Sequence, residues 1–356
     1  MTFRGSIEAV LRGGDPDQVP YAPYDNLVPR GDFERELRNR GMGLCLRRSG
    51  IWSESPNVDI ERKTKGDLAY TIYRTPKGSV QSAERTHVGR ISDGETIEEE
   101  WMIKGSDDFA PAIFMVDDAI YHSDYPGFLA NIRDVGTDGI VRFDGPVPPY
   151  DASETYFSLE DWAQAQHDYP KEFAQLMAAL ERRLERFMPL VLDAPAEFIS
   201  MGSLSGIYSP RRYEESVIPF YEKWVPELTA RGKLPALHAH NSNLNAFVDL
   251  VKRTGVPIVE AFTPPPIGDF SLADARAAWG PDVVIWVNFP ETIFWHGRQE
   301  TYDYTVELLT QDKQSRRLVI GMTEMGSYGI TDDESERIFK EGMRAIMDAI
   351  EEHGLY

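Results

Sequence analysis

Five short apolar runs in the C-terminal half constrain the fold more than any other feature. They are EFISMG (Glu197–Gly202), LPALHAH (Leu234–His240), VPIVEAF (Val256–Phe262), VVIWVNF (Val283–Phe289) and RLVIGMT (Arg317–Thr323). Near-continuous hydrophobicity of this kind marks parallel strands buried on both faces. The stretches between them have helical periodicity. Ser209-Pro210 supplies a cap and a first-turn proline, and Tyr213, Val217, Tyr221, Trp224 and Leu228 follow at spacings of four and three. Leu244, Phe247, Val248 and Val251 line a second helix that Gly255 ends, and Ser271 to Gly280 encloses a third. Thr331 with Glu334 predicts a capping box for a last helix whose face is Phe339, Met343, Ile346 and Ile350. Strand starts lie 22 to 37 residues apart. Repeated βα units with right-handed crossovers either close into a barrel or wind an open sheet.

The N-terminal part is less regular. QVPYAPYDN (Gln18–Asn26) is the expected first strand, and residues 67–105 alternate apolar and polar residues around Gly and Pro as hairpins do. Helices are expected near 107–117 and 123–133, GIVRFDG (Gly139–Gly145) as a strand, and Pro170–Leu192 as a long helix. VPPYDASET (Val147–Thr155) reads as a Pro-rich loop too short for a tether. Together these predict an α/β fold, a (β/α)8 TIM barrel with an N-terminal β-hairpin insertion, as a single domain over residues 1–356. The 67–105 hairpins would be an insertion or lid, or a homodimer interface.

A net charge of −21, from 37 Lys+Arg against 58 Asp+Glu, argues against nucleic acid and anionic membranes as partners. No apolar run approaches the roughly 18–20 residues of a membrane span, and the N-terminus lacks the pattern of a secretory signal. Cys45 is the only cysteine, so intrachain disulfides and cysteine-cluster zinc sites are excluded, and it reads as a small buried residue. A cytoplasmic protein is expected.

Residues two apart on a strand face the same side, so His238 and His240 point together from a strand's C-terminal end, where barrel active sites lie. Each later strand also ends in a polar residue: Glu260, Asn288 and Glu324. A carboxylate at an apolar barrel mouth is costly unless it is hydrogen-bonded or binds something. Two imidazoles and a carboxylate with an open position make up a catalytic zinc site, and other divalent metals suit it too. His238 and His240, with Glu260 or Glu324 as the carboxylate, are therefore candidate metal ligands, and Asn288 and the remaining carboxylate are candidate catalytic residues. Tyr24, Asn26, Tyr208 and Asn241 are candidates to shape the substrate pocket. His296 in FWHGRQE reads as an exposed loop histidine. No dinucleotide fingerprint, Walker loop or GxSxG elbow is present.

The segments DPDQVPYAPYDN, SPRRYEESVIPFYEKWVPEL, HAHN, TGVPIVEAFTPPPIGDFSLADARAAWGPDVVIWVNFPE and IGMTEMGS resemble the uroporphyrinogen decarboxylase superfamily over nearly the whole chain, most specifically across Ser209–Glu291. The resemblance implies a (β/α)8 barrel. True decarboxylases carry an arginine-rich MRQAGR-type motif, whereas the stretch here is YAPYDNLVPRGDF. The other branch, the zinc-dependent corrinoid-linked methyltransferases, is the nearer likeness, and the hairpin region with RTPKG resembles its O-demethylases. Thiol-methylating members of that branch bind zinc through His-x-Cys and a later cysteine. By the resemblance, His238 matches the histidine, His240 stands where the first cysteine would be, and Glu324 lies close to the second.

Imidazole and carboxylate in place of thiolates imply a zinc that acts on oxygen rather than sulfur. The expected reaction moves a methyl group from a small O-methylated substrate, such as an aryl methyl ether, to the cobalt of a corrinoid. No DxHxxG motif is present, so the corrinoid is expected on a separate partner protein. Glu260 would orient a ligand, bind zinc, or protonate the leaving group; Asn288 would hold the substrate. The alternatives are a metal-dependent hydrolase or lyase (decarboxylase) using the same residues, and a non-catalytic binding barrel.

Overall fold

Strands buried on both faces must be covered by helices, and this is the arrangement seen in the computed structural model, which describes residues 1–86, 96–204, 208–240, 242–322 and 329–356. The strands, in chain order, begin with β1 Leu44–Arg48, β2 Ile51–Glu54, β3 Asp59–Lys65 and β4 Leu68–Thr75. Next come β5 Gly78–Arg85, β6 Ile97–Glu100, β7 Ile120–Ser123 and β8 Gly139–Asp144. The last are β9 Phe198–Ser203, β10 Leu234–His238, β11 Ile258–Phe262, β12 Val284–Phe289 and β13 Leu318–Met322. Each of the five expected C-terminal strands is present within two residues of its apolar run.

β1, β8, β9, β10, β11, β12 and β13 form one parallel sheet in that order. All residues of β11, β12 and β13 are buried. The sheet is strongly curled. Phe198 of β9 and Trp286 of β12 are not on neighbouring strands, yet their rings stack with centroids 5.6 Å apart inside the curl. The extended segment at Pro20–Asp25 runs between the two outermost strands and bonds to both. Ala22 N–H donates to the Ile320 carbonyl of β13 (2.8 Å), and Cys45 N–H of β1 donates to the Pro23 carbonyl (2.9 Å).

The helices follow the expected periodicity, with physical corrections. The helix expected over Ser209–Leu228 is two, Pro210–Ser216 and Ile218–Thr229, because Pro219 has no N–H to continue the ladder. The segment after Asn243 opens as a 3-10 turn at Leu244–Phe247 before the α-helix Val248–Thr254, which Gly255 closes at φ 70°. The last helix, Asp333–His353, is capped by Asp332 with Ser335, one residue beyond the expected Thr331/Glu334 pair. Val147–Thr155 is not all loop: Pro149 takes a first-turn position and Pro149–Glu154 is helical. The helices Phe3–Arg12, Asp32–Asn39, Leu159–Asp168 and Arg298–Asp312 were not expected.

The hairpin region is a four-stranded antiparallel sheet, β3-β4-β5-β6, which starts at Asp59 rather than 67. β4 and β5 lie against the helix Phe109–Asp118. β2 and β7 pair separately as a two-stranded ribbon. Among the described residues, no helix is long and apolar enough to cross a membrane.

Candidate active site at the strand ends

Glu260 is the centre of the polar cluster at the C-terminal ends of the strands. It is fully buried on β11, in register with His238 on β10, so the two side chains leave the sheet at one level. The chain is distorted here: β11 shifts register between Val259 and Phe262, and Ala261 adopts φ 57°. A left-handed alanine costs roughly 1–2 kcal/mol, so the fold stores strain beside this carboxylate.

Arg142, 6% exposed on β8, reaches Glu260 from a strand that is not its neighbour. Its Nη1 lies 2.7 Å from Oε1 and 2.6 Å from Oε2. The Tyr24 hydroxyl donates to Oε1, and His238 Nδ1 sits 3.2 Å from Oε2. Burial alone would push the Glu260 carboxyl up, but the Arg142 guanidinium, with His238 and Tyr24, holds it well below the usual carboxylate range. Burial and then the Glu260 charge keep the Tyr24 phenol well above its ordinary value, so it remains a donor. An anion held this way has no proton to give near neutrality, so the expected role of Glu260 as acid to a leaving group does not fit its surroundings.

The His238 and His240 rings lie side by side, centroids 6.1 Å apart and planes 23° apart, as the strand alternation predicts. His240 is exposed and His238 partly buried. With Nδ1 facing a buried carboxylate, His238 presents Nε2 away from it, the arrangement that orients metal-binding imidazoles. Among the described residues, no three His, Cys, Asp or Glu side chains are gathered as a metal site. Glu324, the expected third ligand, and Asn241 lie outside the described residues.

Asn288 is 5% exposed near the end of β12 and lines a small cavity with Ala22, Tyr24, Ala261, Gly321 and Met322. Asn26 is exposed and accepts from Arg47 Nη2 at 3.1 Å. Tyr208 is 6% exposed. It is buried among Tyr150, Trp162 and Tyr213, and its hydroxyl donates to Asp151 at 2.5 Å. His296 is exposed, as expected. Cys45 is fully buried and burial pushes its thiol up, consistent with an inert packing residue.

Sequence reasoning missed Arg142, Asp144 and Asp151. Arg142 Nη2 also approaches Asp144 at 3.4 Å. The first two carried a readable signal, since Arg and Asp alternate with apolar residues in GIVRFDG and so share one face of the strand. Asp151 carried none, because its segment reads as a loop. A separate cleft, lined by Arg4, Leu11, Arg12, Ile140, Ala196 and Leu234, opens where several strands begin and contains none of the expected residues.

No family model matches the chain, and no curated protein sequence matches it. Among solved structures it is similar to a methyltransferase from Methanosarcina mazei, at 13% identity and a TM-score of 0.54, over 99% of each chain. At that identity the likeness concerns the fold, which the two chains share from end to end.

Proposed function

We propose that the chain is a metal-dependent methyltransferase, taking a methyl group from a small O-methylated substrate such as an aryl methyl ether and passing it to a corrinoid on a separate protein. The observation that carries this reading is His238, held by the buried Glu260–Arg142 pair beside a parallel His240 ring. A second imidazole facing the same way, and a first one fixed by a carboxylate, suit zinc or a similar divalent ion. The shared fold with a methyltransferase is in keeping with it. We also infer that the Pro20–Asp25 segment serves as the eighth strand of a (β/α)8 barrel, since its bonds to β13 and β1 span the gap between the outer strands.

In this reading His238, His240 and Glu324 hold the metal, which when bound would polarise the substrate oxygen while the corrinoid accepts the methyl group. The chain's own contribution is positional. Glu260 stays ionised and fixes the His238 ring, Arg142 neutralises Glu260, and Asn288 offers an amide at the mouth to hold the substrate. The proton that finally neutralises the departing oxygen comes from solvent, because Glu260 has none.

Elemental analysis of the purified protein is expected to find about one divalent ion per chain, reduced in His238→Ala. With cob(I)alamin and methoxybenzene, methyl-cobalt is expected to appear in the visible spectrum and to vanish in that variant. Metal-dependent turnover without a corrinoid would favour hydrolysis or decarboxylation instead. Absence of any bound metal, with no response to added zinc, would sink the catalytic reading.

A further inference from the structure

The strand ends hold a second arginine with a different environment. Arg47 of β1 is the register partner of Arg142 of β8, so their side chains leave neighbouring strands on the same face. Arg142 is committed to Glu260 and Asp144. Arg48, which alternation sends the other way, is committed to Asp25 at 2.6 Å. Arg47 is partly buried, its guanidinium lies 4.5 Å from the centroid of the Tyr24 ring, and its polar partner is the neutral Asn26 amide at 3.1 Å. Among the described residues, no carboxylate stands within 4.0 Å of it.

A guanidinium stacked on an aromatic face has its planar donor fork directed by that stacking and retains donors for a planar anion. A partly desolvated cation without a counter-charge is unfavourable until something pairs with it. Because the chain as a whole carries −21, an anionic ligand is repelled at long range and needs such a local cation to settle. Tyr24 also ties Arg47 to the proposed metal position. Its ring carries Arg47, its hydroxyl meets Glu260, and Glu260 meets His238. One aromatic side chain therefore links the two.

We propose that Arg47 is an anion subsite, and that the substrate handled beside it carries a carboxylate. The inference rests on the reading of the strand-end site given above, but its test does not require turnover. Titration calorimetry at low ionic strength, with benzoate and its neutral analogue benzamide as probes, is the direct experiment. Benzoate is expected to bind at least tenfold more tightly than benzamide, and Arg47→Gln to erase that difference; Arg47→Lys should retain part of it. Inorganic phosphate should compete weakly. Equal binding of the two probes, benzoate binding undiminished in Arg47→Gln, no benzoate binding, or phosphate binding more tightly than benzoate would each overturn the proposal. If Arg47→Gln fails to fold, the comparison of probes on the unaltered protein decides.

A kinetic arm separates the two claims. With methoxybenzoate and methoxybenzamide as methyl donors, Arg47→Gln should raise KM for the acid alone and leave kcat nearly unchanged. Methyl transfer from both, indifferent to Arg47, leaves the chemistry standing and removes the subsite. No transfer from either, with the benzoate pattern intact, does the reverse.

Discussion

Two buried carboxylates, each accepting a tyrosine hydroxyl, are shifted in opposite directions. Glu260 takes the Tyr24 hydroxyl and Asp151 takes that of Tyr208, and both are buried. Glu260 is held well below the usual carboxylate range; Asp151 is pushed up to about 7. For each, burial is the largest influence and raises the value. The difference is a cation. Arg142 lies 2.6 Å from Glu260, whereas among the described residues Asp151 has the Tyr208 hydroxyl and, at 3.3 Å, the Ser203 backbone N–H to oppose burial. Hydrogen bonds moderate the cost of a buried charge, and a counter-charge reverses it.

The largest expected effect comes from removing that cation. Arg142→Met should leave Glu260 buried and unpaired, costing about 3–5 kcal/mol in urea denaturation at pH 7. The Arg142→Met/Glu260→Gln double variant should recover much of this, because the two residues form one unit. If the single variant loses under 1 kcal/mol, the ion pair does not set the state of Glu260. A functional counterpart is Glu260→Gln, which should weaken zinc binding about 10–100-fold by loosening His238, measured by competition with a chelator. Unchanged zinc affinity would remove Glu260 from the orienting role.

The second effect is a pH dependence at Asp151. Its carboxyl is raised in the fold, so the unfolded chain loses its proton first as pH increases from about 4. The stability contribution present at low pH is therefore lost as pH rises through 7, and the loss is constant above about pH 8. Asp151→Asn lacks this loss. Its stability relative to the unaltered protein should rise between pH 4 and pH 8, by about 3–4 kcal/mol, and stay level beyond. A pH-independent difference in urea midpoints would show that Asp151 is ionised throughout.

These two environments were not equally legible in the amino-acid sequence. Glu260 could be placed because it interrupts an apolar run that forms β11, and period-two alternation put His238 and His240 on one side. What could not be read was the meeting of Arg142 with Glu260, because its strand is not adjacent to β11 and the contact depends on the curl of the whole sheet. β1 was missed because GLCLRR is short, begins beside glycine and ends in two arginines. Asp151 was hidden by its neighbours Pro146, Pro148 and Pro149, which look like loop punctuation although Pro149 in fact starts a helix. Local pattern fixes which residues face inward; the partner met across the interior is a property of the sheet's curl.

The smallest effects test whether the two tyrosines act alike. Tyr24→Phe removes a hydrogen bond to an anion at any pH near neutrality, so it should cost about 1.5–3 kcal/mol with little change between pH 6 and 8. Tyr208→Phe removes a bond whose acceptor changes state in that interval. Below pH 6 the Asp151 carboxyl is mostly protonated and the loss should be about 1 kcal/mol; above pH 8 the acceptor is charged and the loss should approach that of Tyr24→Phe. The Tyr208 hydroxyl also lowers the Asp151 carboxyl, so Tyr208→Phe should move the pH dependence of stability upward. Parallel urea titrations of the two variants at pH 5.5 and 8.5 check this. Equal pH responses would mean that the two carboxylates share one charge state, and the contrast attributed to Arg142 would fall.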